Sequence, residues 1–153
     1  MVTGWRLVRP AHAQEAFSGR GARLYGGRWN SPGVAVVYGS STLSLAVLEL
    51  LVHVPASLTP PDCVHIEFHF EEALVEKVES STLPANWRDY PAPPELQAIG
   101  DAWMANRSSA VLQVPSAVIP LEFNYLLNPD HPDFRSVDIG QPRDFRLDYR
   151  LLT

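Results

Sequence analysis

Three residues of this chain combine a reactive type with a setting that can use it: an arginine, a glutamate and a serine. Arg28 sits inside "GGRWNSPG", residues 26–33, with two glycines before it and Pro32-Gly33 after. Glycine and proline on both sides predict a loop or tight turn. A guanidinium there can hold an anion in a planar fork, and Trp29 beside it can anchor the loop or stack on a ring. Glu49 lies in "LAVLELLVH". A carboxylate on the polar edge of an amphipathic helix is most often a surface residue; a seam this narrow, flanked by Leu45 and Val52, suggests partial burial instead, where a carboxylate needs a partner that Arg28 can supply. Ser116 follows a strand-ending proline in "LQVPS"; turn chemistry and a role at a site both remain open for it. Arg20 and Arg23 share the glycine-rich segment with Arg28 and can reach a phosphate, but solvated surface positions are the simpler expectation for both.

Other chemistries find little support. His53, His65 and His69 point outward. His65 and His69 share a strand face but stand roughly 13 Å apart, too far for shared ligation, so no metal is expected. Cys63 is the one cysteine, which excludes an intrachain disulfide; it reads as an inert thiol. The dinucleotide and phosphate-loop glycine motifs, the helical zinc motif and the nucleophile elbow are all missing. An anion held by this glycine-rich segment must therefore be held by arginines and loop amides.

Periodicity outlines the elements that position these residues. "WRLVRP" at 5–10 reads as a first strand. The polar, glycine-rich stretch that follows, up to Gly33, reads as a loop of unusual length. Residues 34–40 form a buried strand and 40–54 a helix, with Ser40, Ser41 or Thr42 as its cap and Pro55 past its end. On that helix Leu43, Val47, Leu50, Leu51 and Val54 cover the broad apolar face; Thr42, Ala46, Glu49 and His53 form the narrow seam. Residues 62–71 alternate cleanly, with Val64, Ile66, Phe68 and Phe70 inward. A short strand near 73–80, a proline-rich loop at 84–94 and a helix over 94–107 follow, with Gly100 as a soft spot in that helix. Residues 109–129 hold two β-rich runs with Pro115 and Ser116 between them. Two last strands meet at Gly140-Gln141-Pro142, and the terminal one alternates through Phe145, Leu147 and Tyr149. Six to eight strands with two main helices predict an α+β fold, one domain over residues 1–153.

Composition sets limits on partners. With 153 residues, 46% apolar and 19% charged, the chain is long enough for a hydrophobic core and is not disordered. Net charge is −5, and Lys77 is the one lysine among twelve Lys and Arg residues. An acidic domain without a lysine cluster is a poor nucleic-acid binder. No signal-peptide pattern opens the chain and no apolar run approaches the length of a membrane span, so a cytoplasmic protein is expected.

Two stretches, "GARLYGGRWNSPGVAVVYGSSTLSLAVLELLVH" and "VLQVPSAVIPLEFNYLLNPDHPDF", closely resemble the RES domain, the toxin half of bacterial RES–Xre toxin–antitoxin pairs. The resemblance runs from "WRLVRP" to "FRLDYRLL", and the family's eponymous arginine, glutamate and serine match Arg28, Glu49 and Ser116. It implies a fold similar to ADP-ribosyltransferases of the diphtheria-toxin type, with a mixed, mainly antiparallel β core. It implies an enzyme that consumes NAD+ as an NAD phosphorylase or glycohydrolase, with inorganic phosphate as the expected co-substrate. ADP-ribosyl transfer to a protein is the alternative, and a non-enzymatic antitoxin-binding module the second. The implied partner is an Xre-type antitoxin that blocks the cleft, possible in a higher-order complex. The resemblance adds Arg6 and Tyr38 to Arg28, Glu49 and Ser116 as NAD-contacting residues. Glu49 would then stabilise positive charge on the ribose, Arg28 and Arg6 would grip the pyrophosphate, Tyr38 would stack on nicotinamide or bond a hydroxyl, and Ser116 would fix the ribose or carboxamide.

Overall fold

The computed structural model describes residues 1–55 and 62–152. Along these the chain forms β1 (Val2–Val8), α1 (Arg20–Tyr25), β2 (Val37–Ser40), α2 (Leu43–Leu51), β3 (Cys63–Phe70), β4 (Val75–Lys77), α3 (Pro94–Asn106), β5 (Val111–Pro115), β6 (Phe123–Leu127), β7 (Asp138–Ile139) and β8 (Arg143–Phe145), with short 3-10 turns between several of them. The strands join one sheet in the order β4-β5-β6-β2-β1-β3-β7, with β8 also on β3. All pairings are antiparallel except β4 with β5. This is the expected α+β arrangement with few helices. Among the described residues no helix is long and apolar enough to cross a membrane.

Strand alternation gives the sheet two apolar faces. On one, Val37, Phe68, Phe70, Val111, Tyr125 and Leu127 pack together. Phe68 fills this face so fully that Gly4 and Gly39 have no room for a Cβ against its ring. On the other, Val36, Leu112, Val114 and Leu126 meet Trp29 from the glycine-rich segment and Leu96 and Trp103 from α3. Burying a side chain such as Phe68 or Leu126 stabilises the fold by about 1.5–3 kcal/mol each. β3 shows the predicted alternation, with Val64, Ile66, Phe68 and Phe70 buried and His65, Glu67 and His69 half-buried.

Four expectations are corrected by the structure. The glycine-rich stretch is not one long loop: it contains a 3-10 turn at Pro10–Glu15 and the helix α1. Neither buries a residue, so neither writes an apolar stripe into the sequence. The β-rich run after Pro115 does not resume at once; Ser116 opens a turn and β6 starts at Phe123. The terminal strand ends at Phe145 and the chain closes in a 3-10 turn at Tyr149–Leu152. Beyond it, Asp148 accepts hydrogen bonds from the Arg150 amide, Nε and Nη2 at 2.9, 2.9 and 2.7 Å.

The fourth concerns α2, whose buried residues are Leu45, Ala46 and Val47, while Leu48 and Val52 are exposed. The expected seam is thus split: Ala46 is buried and Glu49 half-buried, while Thr42 and His53 are exposed; of the expected broad face, Val47 is buried and Leu43, Leu50, Leu51 and Val54 are half-buried. Thr42 caps the helix, accepting the Leu45 amide on Oγ1 at 3.0 Å.

Candidate active site

Arg28 is presented by a two-residue turn that is held from all sides. The turn is closed by the Gly27 amide donating to the Asn30 carbonyl at 3.0 Å. Trp29 is 2% exposed and sits in the core against α3. The Asn30 side chain is fully buried; its amide donates to the carbonyls of Ala22 and Val34, at 2.9 and 3.0 Å. Its Oδ1 accepts the Tyr38 hydroxyl at 2.6 Å, and that hydroxyl oxygen accepts the Trp29 amide at 3.1 Å. From α3, Gln97 donates to the carbonyls of Gly27 and Asn30, and Asp101 accepts from the Ser31 amide and hydroxyl. Gly100 lets α3 approach: a Cβ there would collide with the Trp29 carbonyl. Gly27 is equally constrained, since its Cβ would lie 2.8 Å from the Tyr38 hydroxyl. Burial raises the Tyr38 pKa well above that of a free tyrosine, so the hydroxyl stays a donor.

With Trp29 inward, Arg28 points the other way, half-buried. Its Nη1 donates to the carbonyls of Trp87 and Asp89 at 2.9 and 3.0 Å. The proline-rich loop is thereby tied to the turn. Desolvation lowers the Arg28 pKa, while the Glu49 carboxylate, then Asp89, oppose that shift. The two charges thus sense one another, yet no hydrogen bond or ion pair joins them among the described residues.

Glu49, half-buried on α2, is held at one oxygen. Its Oε1 accepts from Ser116 Oγ at 2.7 Å and from Asn124 Nδ2 at 2.8 Å. Ser116 is fully buried, and its hydroxyl oxygen also accepts the amides of Val118 and Ile119 at 3.1 and 3.0 Å. The serine builds the turn after β5 and also grips the carboxylate. It does so from inside the protein, which leaves it no face for a ribose or carboxamide. Asn124 pairs with Ser40 across β6 and β2, and its Oδ1 accepts the Ser40 hydroxyl at 2.8 Å.

The structure brings Arg28, Tyr38, Glu49 and Ser116 into one region through the turn, α2 and the end of β5. Arg6 is placed differently. Register pairs Trp5 with Ser40, so alternation sends Arg6 to the face opposite Ser40 and Tyr38. Its Nε and Nη1 donate to the carbonyls of Ala16 and Tyr38, each at 2.6 Å, and burial lowers its pKa to about 10. Its guanidinium is first a clasp between β1, β2 and the segment before α1. Arg20 and Arg23 are exposed on α1, and Arg20 meets Glu15 at 3.5 Å in a surface pair of small energetic weight.

Sequence reasoning missed Asn30, Asn124, Ser40, Gln97 and Asp101. Two carried a signal: Asn30 stands within the motif stretch itself, and Asn124 is a polar residue inside the apolar run "LEFNYLL", a position that requires a partner.

The chain is thus an α+β sheet domain that presents a guanidinium and an internally braced carboxylate. The model of the RES domain matches residues 3–148, and the chain belongs to that family. A "Toxin Res" of Yersinia enterocolitica serotype O:8 / biotype 1B is 38% identical over 96% of this chain and 97% of its own. A "Prs ADP-ribosylating toxin" of Sphingobium sp. (strain YBL2) is 35% identical over 97% of this chain and 95% of its own. A chain in the crystal structure of the M. tuberculosis MbcT–MbcA toxin–antitoxin complex superposes with a TM-score of 0.79 at 17% identity, covering 99% of this chain and 86% of that one. At that identity the likeness bears on the fold.

Proposed function

We propose that this chain is the toxin of a toxin–antitoxin pair and that it breaks the nicotinamide–ribose bond of NAD+. The observation that carries the reading is the placement of Arg28 and Glu49: close enough to interact electrostatically, not joined to each other, and each braced by neighbours. Nicotinamide leaves with the electron pair of the C–N bond and departs neutral, so little acid catalysis is needed. Positive charge grows on the ribose as an oxocarbenium ion, as in glycoside cleavage. Glu49 meets that charge, accepting a ribose hydroxyl. Arg28 has Nε and Nη2 left for the oxygens of the pyrophosphate or of an incoming phosphate. With phosphate as acceptor, a P–O oxygen bonds C1″ and ADP-ribose 1″-phosphate forms; with water, ADP-ribose forms and a proton is released.

Tyr38 acts through the turn, because its hydroxyl is taken by Asn30 and the Trp29 amide. Ser116 acts through Glu49. Arg6, on the opposite face of the sheet, acts through β2 by holding the carbonyls of Ala16 and Tyr38. The partner is an antitoxin of the Xre type that covers the cleft, and the place of action is the cytoplasm. The name of the Sphingobium relative favours a second reading, transfer of ADP-ribose to a protein from the same cleft. Product analysis separates them. The purified chain with NAD+ and phosphate is expected to yield nicotinamide and ADP-ribose 1″-phosphate; ADP-ribose on a protein acceptor, with no phosphate dependence, supports transfer, and no free nicotinamide under either condition refutes both.

A further inference from the structure

We propose that Asn124, oriented by Ser40, is a positioning residue that assigns the two oxygens of Glu49 different tasks: Oε1 is anchored in the protein and Oε2 meets the substrate. The inference rests on the reading of Glu49 as the reacting carboxylate. Both donors to Glu49, Ser116 Oγ and Asn124 Nδ2, converge on Oε1, at 2.7 and 2.8 Å. Oε2 accepts no hydrogen bond among the described residues. The donors come from different strands, one just past β5 and one on β6, so rotation of the carboxylate breaks two bonds at once.

The amide orientation follows from chemistry. A carboxylate only accepts, so Nδ2 must face Glu49, and Oδ1 is left to take the Ser40 hydroxyl at 2.8 Å. Ser40 is 4% exposed and Ser116 fully buried, so water does not easily replace either. The chain Ser40–Asn124–Glu49 thus carries orientation from the centre of the sheet to the carboxylate. Misplacing a reacting group by about 1 Å costs on the order of a hundredfold in rate.

Two variants test this. Asn124→Leu keeps the volume and removes both hydrogen bonds; Ser40→Ala leaves the amide free to turn. With NAD+ as substrate, Asn124→Leu is expected to lower kcat by on the order of tenfold to a hundredfold with KM within about threefold of wild type. Ser40→Ala is expected to give a smaller loss of the same kind. Crystal structures of the variants supply a readout that needs no activity: Glu49 is expected to rotate, or to take two orientations, in Asn124→Leu. An unmoved carboxylate with wild-type kcat overturns the inference. Should Asn124→Leu not fold, Ser40→Ala decides, and an unmoved amide with wild-type kcat there overturns it. If the wild-type chain releases no nicotinamide, the proposed function fails, while the crystal structures still judge the anchoring of Glu49.

Discussion

Ser116 donates its hydroxyl to Glu49 Oε1 at 2.7 Å from a position with no solvent exposure. The serine is a brace for the carboxylate, 67 positions away in sequence. Ser116→Ala removes that donor and also the acceptor for the Val118 and Ile119 amides. The expected cost is about 1–3 kcal/mol in stability, read from denaturant unfolding. The expected kinetic signature is a lower kcat with KM little changed, because no substrate contact is lost.

Arg28 does two jobs that a lysine cannot share out. Its Nη1 ties down the carbonyls of Trp87 and Asp89, and the rest of the guanidinium is available to an anion. Arg28→Lys keeps the charge and loses the fork. It is expected to lower kcat/KM by about a hundredfold, close to the effect of Arg28→Ala. In both variants amide hydrogen exchange across residues 86–90 is expected to quicken.

The rigidity of the turn has its own test. Gly27→Ala places a methyl group 2.8 Å from the Tyr38 hydroxyl and 3.0 Å from Asn30 Oδ1, against the bond that holds them. Overpacking of this kind costs about 1–3 kcal/mol. Trp29→Ala removes the anchor itself and is expected to cost about 3–5 kcal/mol. Activity is expected to fall further than stability alone accounts for, because Arg28 loses its direction.

Tyr38 makes alkaline stability informative. Burial raises its pKa in the folded chain above the ordinary value of 10.0. Folded protein then holds the proton that unfolded chain releases, so stability is intact below about pH 10 and falls as pH rises beyond it. Tyr38→Phe removes this contribution. Its stability is expected to be lower at neutral pH by about 1 kcal/mol and to decline less steeply above pH 10, measured by urea unfolding across that range.

Much of the fold was legible because its signals are local. β3 alternates so cleanly that four of its five buried residues could be named, Cys63 being the exception, and α3 runs from Pro94 nearly as predicted. α1 was not legible: six residues, no buried side chain and glycines at Gly19 and Gly26 look like a loop. The site divides the same way. Arg28 and Glu49 stand out by type and setting. What supports them does not, since Asn124 is 75 positions from Glu49 and Gln97 is 70 from Gly27. Periodicity reports which face a side chain takes, not which distant strand or helix it will meet. The seam of α2 shows the limit clearly: Glu49 is half-buried as a narrow seam implies, but the exposure of Leu48 and Val52 on the same helix follows only from tertiary packing.

The most direct test of the central claim is nicotinamide release from NAD+ by the purified chain and its Glu49→Gln variant, each checked for an unchanged melting transition. Wild-type protein is expected to release nicotinamide, and Glu49→Gln to fall by at least about a hundredfold. A folded Glu49→Gln variant that consumes NAD+ at the wild-type rate contradicts the account.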